Sequence, residues 1–410
     1  MEPGGKRPSK GENGMTRNRR ALVIGCGIAG PAAAIFLKRA GYEPLIYEAQ
    51  KGHDDYTGLF LNVARNGMRI LRELSVDGRI RKEGIELRTM SFRSGSGKWL
   101  GKMEDPSGKP QGYTVKRGFL HKVLREAAQR EGIPVEFGKK LADLRMAGTG
   151  VTAVFEDGTQ AEGDLLIGCD GIHSRTRRLI LPGAAEPDYT GLISFGGFSR
   201  GVRIPHEPAQ HMVFGKKAFF GYLVKPDGEI YWFGNLDYPG KPTRKELQSI
   251  PQAQWRRVLE DLYGNEICPV PDIIRATESE IGVYPIYDLI SVSSWHSGRA
   301  VLIGDAIHAT SPNAGQGASL ALEDALVLAK CLRDSGRPEE AFRRFDKLRR
   351  ERVEKVVRYS RSIGQRKHAT NPVQVFFRDL MLPLFLKQAS RQSNAWLYDY
   401  RVDWQDKVTV

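Results

Sequence analysis

The sequence predicts a mixed α/β (α+β) fold. A domain of parallel strands and helices carries a second domain with a β-sheet core, and helices follow at the C-terminal end. Three observations predict it. Apolar runs at Ala21–Ile24, Leu165–Ile167 and within Arg299–Ile303 have the character of parallel strands covered on both faces. Each run enters a turn rich in glycine or aspartate, and the first and third of these turns open helices. Between the second and third runs, from 186 to about 280, the chain becomes strand-rich and aromatic.

Taken in order, Arg20 to Tyr47 reads strand, tight turn, helix, strand. Ile28 to Ala40 is the Ala- and Leu-rich helix, Gly41 stops it, and Pro44–Tyr47 is the second strand. Asn66 to Leu74 is helical. Arg88–Arg93 and Lys98–Met103 are strands joined by a Ser-Gly-Ser-Gly turn. Gly118 to Arg130 is a helix with Leu120, Val123, Leu124 and Ala127 on one face. Leu144 to Leu166 reads as a β-meander with a hairpin signal at Asp157-Gly158. In the aromatic region Phe220 and Tyr222 share a strand face, as do Ile230 and Trp232. A long helix follows Gly315, a very charged one runs from about Pro338 to Arg361, and Asn371 to Tyr400 is helical and amphipathic. This divides the chain into a disordered tail (1–20), a discontinuous first domain (21–80, 104–185 and 281–366), a second domain (81–103 and 186–280) and a C-terminal helical segment (367–410).

Composition narrows the function classes. The chain has 410 residues, 40% hydrophobic, 27% charged and 9% aromatic, an ordinary globular profile with ample apolar material for two domains. No stretch reaches the roughly 18 uninterrupted apolar residues that span a bilayer. The longest candidate, Val373 to Leu386, is broken by Arg378, Asp379 and Pro383, so no stable membrane insertion is expected and the helix reads as packed on the body. Met1 to Arg20 lacks the apolar core of a secretory signal. Cys26, Cys169, Cys268 and Cys331 are far apart and form no C-x-x-C pair, which argues against a disulfide framework or a zinc site and makes a reducing cytoplasm the default. The net charge of +14 is spread along the chain and mixed with acids, as in Arg343–Arg352, so it reads as a solvated surface and not a nucleic-acid footprint.

Three motifs carry chemistry. Gly25-Cys26-Gly27-Ile28-Ala29-Gly30 follows a strand and opens a helix. Gly25 permits the tight turn, Gly27 lets the backbone approach a pyrophosphate, and Gly30 lets helix and strand pack closely, while Ile28 and Ala29 begin a helix whose free N–H groups face the phosphates. With 45 glycines in the chain a chance match is plausible, but Glu48 ends the second strand 18 residues beyond Gly30, where a carboxylate accepts hydrogen bonds from a ribose diol. This is a Rossmann-type dinucleotide site, and an acid there suits FAD or NAD and not NADP. The second motif, Asp170-Gly171-Ile172-His173-Ser174-Arg175-Thr176-Arg177, ends a buried strand; alone it reads equally as a strand, a turn and a basic helix start. The third, Gly304-Asp305 through Pro312, Gly315, Gln316, Gly317 and Ala318, offers helix N–H groups to an electron-rich ring edge; alone it reads equally as a helix cap with packing glycines.

In order and spacing together, the three motifs resemble the class A, single-component FAD-dependent monooxygenases of the p-hydroxybenzoate hydroxylase fold, over roughly Ala21 to Arg361. The resemblance implies an FAD-binding first domain and a substrate domain. Gly25, Gly27 and Gly30 would hold the pyrophosphate and Glu48 the adenosine ribose. Arg117 matches an FAD-contacting arginine. Asp170-Gly171, with Arg177, matches the motif that supports FAD and transient nicotinamide binding. Asp305 matches the aspartate on the ribityl or pyrophosphate portion, and Pro312 with Gly315 to Ala318 would lie beside the isoalloxazine ring. Cys26 departs from the usual small or apolar residue and reads as a buried inert thiol. NADH or NADPH would reduce the flavin, O2 would add to give a C4a-hydroperoxide, and an aromatic or polycyclic small molecule would be hydroxylated or epoxidised. No acid/base dyad is needed for this chemistry and none is evident.

Pocket candidates lie on the aromatic sheet: His211, Met212, Phe214, Phe220, Tyr222, Trp232 and Phe233, with Trp232 and Phe233 on opposite faces. His211 and Tyr222 are the candidates for bonding a polar substrate group, and His308 reads as a structural histidine. A flavin reductase of isoprenoid or lipid-like substrates is the alternative on the same fold. A halogenase would need a W-x-W-x-I-P segment that the chain lacks. A monomer and a homodimer are both compatible with the sequence.

Overall fold

The structure, a computed structural model, describes residues 19–52, 58–148, 150–266, 269–365, 372–389 and 394–408. The chain opens with β1 (Arg19–Ile24), α1 (Ala29–Arg39), β2 (Tyr42–Glu48), β3 (Phe60–Ala64), α2 (Arg65–Glu73), α3 (Asp77–Glu83) and β4 (Ile85–Leu87). The hairpin β5 (Thr89–Ser94) and β6 (Trp99–Glu104) precedes β7 (Gly112–Lys116), α4 (Arg117–Arg130) and β8 (Val135–Phe137). Then come β9 (Leu141–Ala147), β10 (Gly150–Phe155), β11 (Gln160–Gly163), β12 (Leu165–Gly168) and α5 (Arg175–Ile180). The aromatic region forms β13 (Asp188–Ser199), β14 (Ala209–Phe214), β15 (Phe219–Val224) and β16 (Ile230–Asp237), followed by α6 (Arg244–Ser249), α7 (Gln252–Tyr263), α8 (Val270–Arg275) and β17 (Gly282–Asp288). The chain continues through β18 (His296–Ser297), β19 (Ala300–Leu302), α9 (Asp305–His308), a 3-10 turn at Pro312–Ala314, α10 (Gly317–Asp334), α11 (Pro338–Gln365), α12 (Pro372–Ala389) and α13 (Ala395–Tyr398).

The main sheet has the order β18-β19-β12-β1-β2-β8 and is parallel except for the edge strand β18. All of β12 and the last four residues of β1 are buried, as strands covered on both faces require. Because β1, β12 and β19 are parallel neighbours, the three turns that follow them leave the same edge of the sheet side by side. Those turns are the three sequence motifs. Ligands of open parallel sheets bind at this edge, beyond the carboxyl ends of the strands.

The second sheet, β17-β13-β16-β15-β14-β5-β6, is antiparallel apart from β14 against β5. It draws β17 from just beyond the expected limit at 280. The expected meander is a separate three-stranded sheet, β11-β10-β9; the run at Leu165 leaves it to join the main sheet as β12. Residues 244–249, 252–263 and 270–275 are helical where strands were expected. Thr243 and Glu246 form a capping box, and Trp255, Leu259 and Tyr263 make a buried stripe along α7; both signals lay under the aromatic composition. These helices seat Phe220, Tyr222 and Trp232 in the core of the second domain. The expected C-terminal helix is two, α12 and α13. Residues 1–18 of the expected tail and Cys268 lie outside the described residues, and Arg19 and Arg20 begin β1.

The Phe220 ring is fully buried, stacked on Trp232 with centroids 5.5 Å apart and edge-on to Tyr263 at 5.3 Å. Phe220→Ala is expected to cost about 3–5 kcal/mol, read as a lower urea midpoint at unchanged slope.

Candidate active site

The first two loops touch. Gly25 has φ of 107°, and a Cβ there would stand 2.6 Å from the Cys169 carbonyl oxygen and 3.2 Å from Asp170 Cα. A Cβ on Gly30 would stand 2.0 Å from the Gly25 carbonyl oxygen. Packing therefore explains both glycines. It does not explain Gly27, where a Cβ would meet nothing within 4 Å. The remaining reason for glycine at that place is close approach by a group outside the chain. Next to it α1 starts without a side-chain cap, so its first N–H groups and positive dipole end are available to a phosphate. The Glu48 carboxylate lies over the same loop, accepting the N–H of Cys26 at 2.7 Å and of Gln50 at 3.0 Å. Burial, with the Glu48 charge nearby, pushes the Cys26 thiol up to about 12, so it is no nucleophile.

The third loop is tied to both others. A Cβ on Gly304 would come within 3.3 Å of Ala29 and of Ala321, so α1 and α10 converge on it. Buried Arg177 donates to the Ala306 carbonyl at 2.8 Å and the Ile172 carbonyl at 3.1 Å, bridging the second and third loops. Asp170 turns inward: it accepts the Thr176 N–H at 2.9 Å and hydroxyl at 3.0 Å and the Ser174 hydroxyl at 2.5 Å. Its carboxylate shapes its own loop. Asp305 is exposed on the first turn of α9, and its carboxylate has no partner among the described residues. Arg117 is the first residue of α4 and exposed, its Nε 3.5 Å from His121.

Beyond Pro312–Ala314 the chain turns left-handed at Gly315 (φ 60°), where a Cβ would lie 3.2 Å from the Asn62 amide nitrogen. Gln316 is fully buried; its oxygen accepts the Asn66 amide at 2.9 Å, while its Nε2 has no partner among the described residues. Asn62 Oδ1 is likewise buried and unpaired. A donor and an acceptor thus stand orphaned beside the N-terminus of α10, where Gly317 and Ala318 begin the helix. Leaving both unmade is costly, and a heterocycle edge carrying carbonyl and N–H groups answers both. The three loops and this pair fit an FAD molecule.

Behind the loop lies a network that motif reasoning missed. Asp324, fully buried, accepts the Gly304 N–H at 3.0 Å, Arg349 Nε at 2.9 Å and His308 Nε2. Glu323 pairs with Arg349 at 2.7 Å and Arg352 at 2.8 Å, and accepts the Asn66 amide at 2.7 Å. Burial works to raise the Asp324 carboxyl, but His308 and Arg349 hold it below its usual value. Two adjacent acids in the otherwise apolar, buried stretch Leu320–Ala329 were the available signal.

A cavity of about 580 Å³ opens between the second sheet, the Pro312–Ala314 turn and the C-terminal helices. Met90, Phe92, Met212, Phe214 and Phe219 form its sheet wall, Asn313 and Ala314 its inner end, and Leu382 and Leu386 of α12 another wall. Its polar lining includes Asp105, Lys109, Gln111, Arg378 and Asp399. Arg65 pairs with Asp105 and, at 3.0 Å, with Asp399.

The comparisons decide the family. The family model described as an FAD binding domain matches residues 19–360. The aurachin C monooxygenase/isomerase of Stigmatella aurantiaca is 30% identical over 86% of this chain and 90% of its own length. The 3-amino-4-hydroxybenzoate 2-monooxygenase PtmB3 of Streptomyces platensis is 28% identical over 94% of this chain and 97% of its own. This chain belongs to the class A FAD-dependent monooxygenases. Among solved structures, Klebsiella pneumoniae HpxO complexed with FAD and uric acid superposes with a TM-score of 0.80 at 26% identity, over 91% of this chain and 96% of HpxO.

Within this monooxygenase the pocket candidates separate by strand face. Met212 and Phe214 line the cavity. Phe233 shares their face but packs on Phe60 and Phe219. His211, Phe220, Tyr222 and Trp232 point to the opposite face and do not line it. His211 bonds Ser91 at 2.8 Å and stacks on Tyr222 at 4.6 Å, and burial lowers its pKa, so the ring is neutral. The period-2 pattern was legible. Which face was covered depended on α6–α8.

Gly27→Glu and Asp305→Ala are expected to weaken FAD binding at least about ten-fold. Visible flavin absorbance should fall at unchanged far-UV circular dichroism; full occupancy in both variants would contradict the site. The folded Asp324 titrates below its unfolded value. Its contribution is therefore present above the unfolded carboxylate range, about pH 4, and is lost as pH falls through the lower folded value. Asp324→Asn should lower Tm at neutral pH and flatten the acid limb of the Tm–pH profile.

Proposed function

We propose that the enzyme uses O2 and a reduced nicotinamide nucleotide, NADH or NADPH, to hydroxylate or epoxidise an aromatic or polycyclic small molecule. Gly25, Gly27 and Gly30 with the start of α1 hold the FAD pyrophosphate, and Glu48 holds the adenosine ribose. Asp305 binds the ribityl or pyrophosphate portion, and Gly315 to Ala318 flank the ring. Bound FAD supplies the redox chemistry and the activation of oxygen. One observation carries the reading: the cavity is lined by Asn313 and by Ala314, the latter two residues before Gln316 and its orphaned amide. Relatives named for urate and for an aminohydroxybenzoate act on flat ring compounds, and a cavity walled by Phe92, Phe214 and Phe219 suits such a ring.

The side chains then have three tasks. Met90, Phe92, Met212, Phe214 and Phe219 exclude water from the reacting face. Asn313 and Gln111 orient polar substituents of the substrate. Asp105 and Asp399 donate no proton: burial works to raise both carboxyls, yet Ser107 and Arg65 hold Asp105, and Arg65 and Arg69 hold Asp399, below the usual range and ionised at neutral pH. These two carboxylates therefore supply no general acid to the substrate.

The test is oxidation of NADH or NADPH by the yellow protein across a panel of aromatic and polycyclic compounds, with mass analysis of products. An oxygenated product is expected. Reduction of the compound without oxygen uptake would point to the reductase chemistry, and no acceleration by any compound would overturn the reading. Phe214→Trp should narrow the cavity and raise KM for the best substrate about ten-fold with flavin content unchanged.

A further inference from the structure

The helix that walls the cavity is apolar on two sides. Leu382 and Leu386 face inward, and Leu386 joins Phe92 and Leu100 in a buried cluster. Phe376, Leu380 and Leu384, and beside them Phe377, Met381 and Phe385, form two rows spaced by four residues on the outer side, each 50 to 66% exposed. A contiguous exposed apolar patch of this kind marks a contact surface. Among the described residues the other exposed large hydrophobics are Trp99 and Met146, and Trp99 lies on β6, the strand against which α12 packs. Pro383 sits inside the helix and removes one of its backbone hydrogen bonds, so burial, and not helix propensity, must hold it in place.

The surroundings are basic. Lys98 and Lys102 flank Trp99 on the β5–β6 hairpin, and the Arg93 guanidinium lies 5.3 Å over the Trp99 ring. Arg378 donates to the carbonyls of Phe214 at 3.0 Å and Gly215 at 3.3 Å, which sets the β14–β15 tip, with Lys216 and Lys217, against α12. The neighbouring acids are answered or sunk: Glu104 pairs with Lys102 at 2.9 Å, Asp379 with Arg378 at 2.8 Å, and Glu266 is buried between the two hairpin tips.

We propose that α12 and the two hairpin tips form a docking face for an anionic lipid bilayer, with the outer rows of α12 and Trp99 lying in the interface and the lysines on the headgroups. No helix among the described residues is long and apolar enough to cross a membrane, so the attachment is peripheral. Charge selects the bilayer over a second copy of the chain, because a symmetric dimer through this face would set two basic rims against each other. Docking places one wall of the cavity against the lipid, so the substrate enters from the apolar phase; that consequence, unlike the docking, rests on the proposed function.

The test is cosedimentation of the flavin-loaded protein with vesicles of phosphatidylcholine, alone or mixed with phosphatidylglycerol. The protein should pellet about ten-fold more with the anionic vesicles, and less as salt rises. Phe376→Glu/Leu384→Glu should abolish binding to both, and Lys98→Glu/Lys216→Glu should abolish only the anionic preference, both with flavin absorbance unchanged. Wild-type protein that stays in the supernatant with both vesicles overturns the proposal. So does a wild-type dimer that the apolar double variant converts to monomer without any vesicle binding, which assigns the face to a second copy. Neither result bears on substrate-stimulated nicotinamide oxidation in solution.

Discussion

The Asp324 carboxylate holds the site together. It is fully buried, and it joins the Gly304 backbone, His308 and Arg349, so one charge fastens the third loop to α10 and α11. Burying an ion pair costs several kcal/mol per ion unless geometry and further hydrogen bonds offset it. Here they do, through Glu323, Arg352 and Asn66. The network runs on from Asn66 to Gln316, so the residue with the unpaired amide at the ring end is positioned by the same charges that anchor the loop. An apolar core of equal volume would hold α10 and α11 together, but it would not aim that amide.

The loops were legible in the sequence because their constraints are local. Gly25 needs its positive φ and its closeness to Cys169 whatever the rest of the chain does, and a strand ending in aspartate can be seen one residue at a time. Adjacency of β1, β12 and β19 was not written in any one segment, yet parallel pairing makes it the simplest arrangement of three such strands. The substrate side was less legible for a physical reason. Alternation along β15 and β16 separates two faces, but only α6–α8 say which face is covered, and they read as more strand until the capping box at Thr243 and the Trp255–Tyr263 stripe are weighed. Asn62 and Gln316 escaped because unmet hydrogen-bond capacity appears only once the neighbours are in place.

Main-chain geometry and side-chain chemistry are divided between the two halves of the site. The nucleotide end depends on glycines, helix starts and inward-turned carboxylates, which admit few replacements. The cavity depends on thioethers and rings at strand positions, where a change of volume is absorbed by the pleated wall. A family sharing the first half can therefore diversify the second without disturbing its cofactor.

The latch formed by Arg65, Arg69 and Asp399 has a consequence of that kind. Together with Lys330 on the Asp403 carbonyl and Arg352 on the Trp396 carbonyl, it straps residues 394–408 across the nucleotide domain while Leu397, Tyr398 and Asp399 face the cavity. Part of the cavity wall is thereby a short ribbon that pairs with no strand among the described residues. Leu397 and Tyr398 are also buried in the first domain's core, and Trp404 lies against Phe36, so a change in this ribbon is felt at the cavity and in the nucleotide domain together.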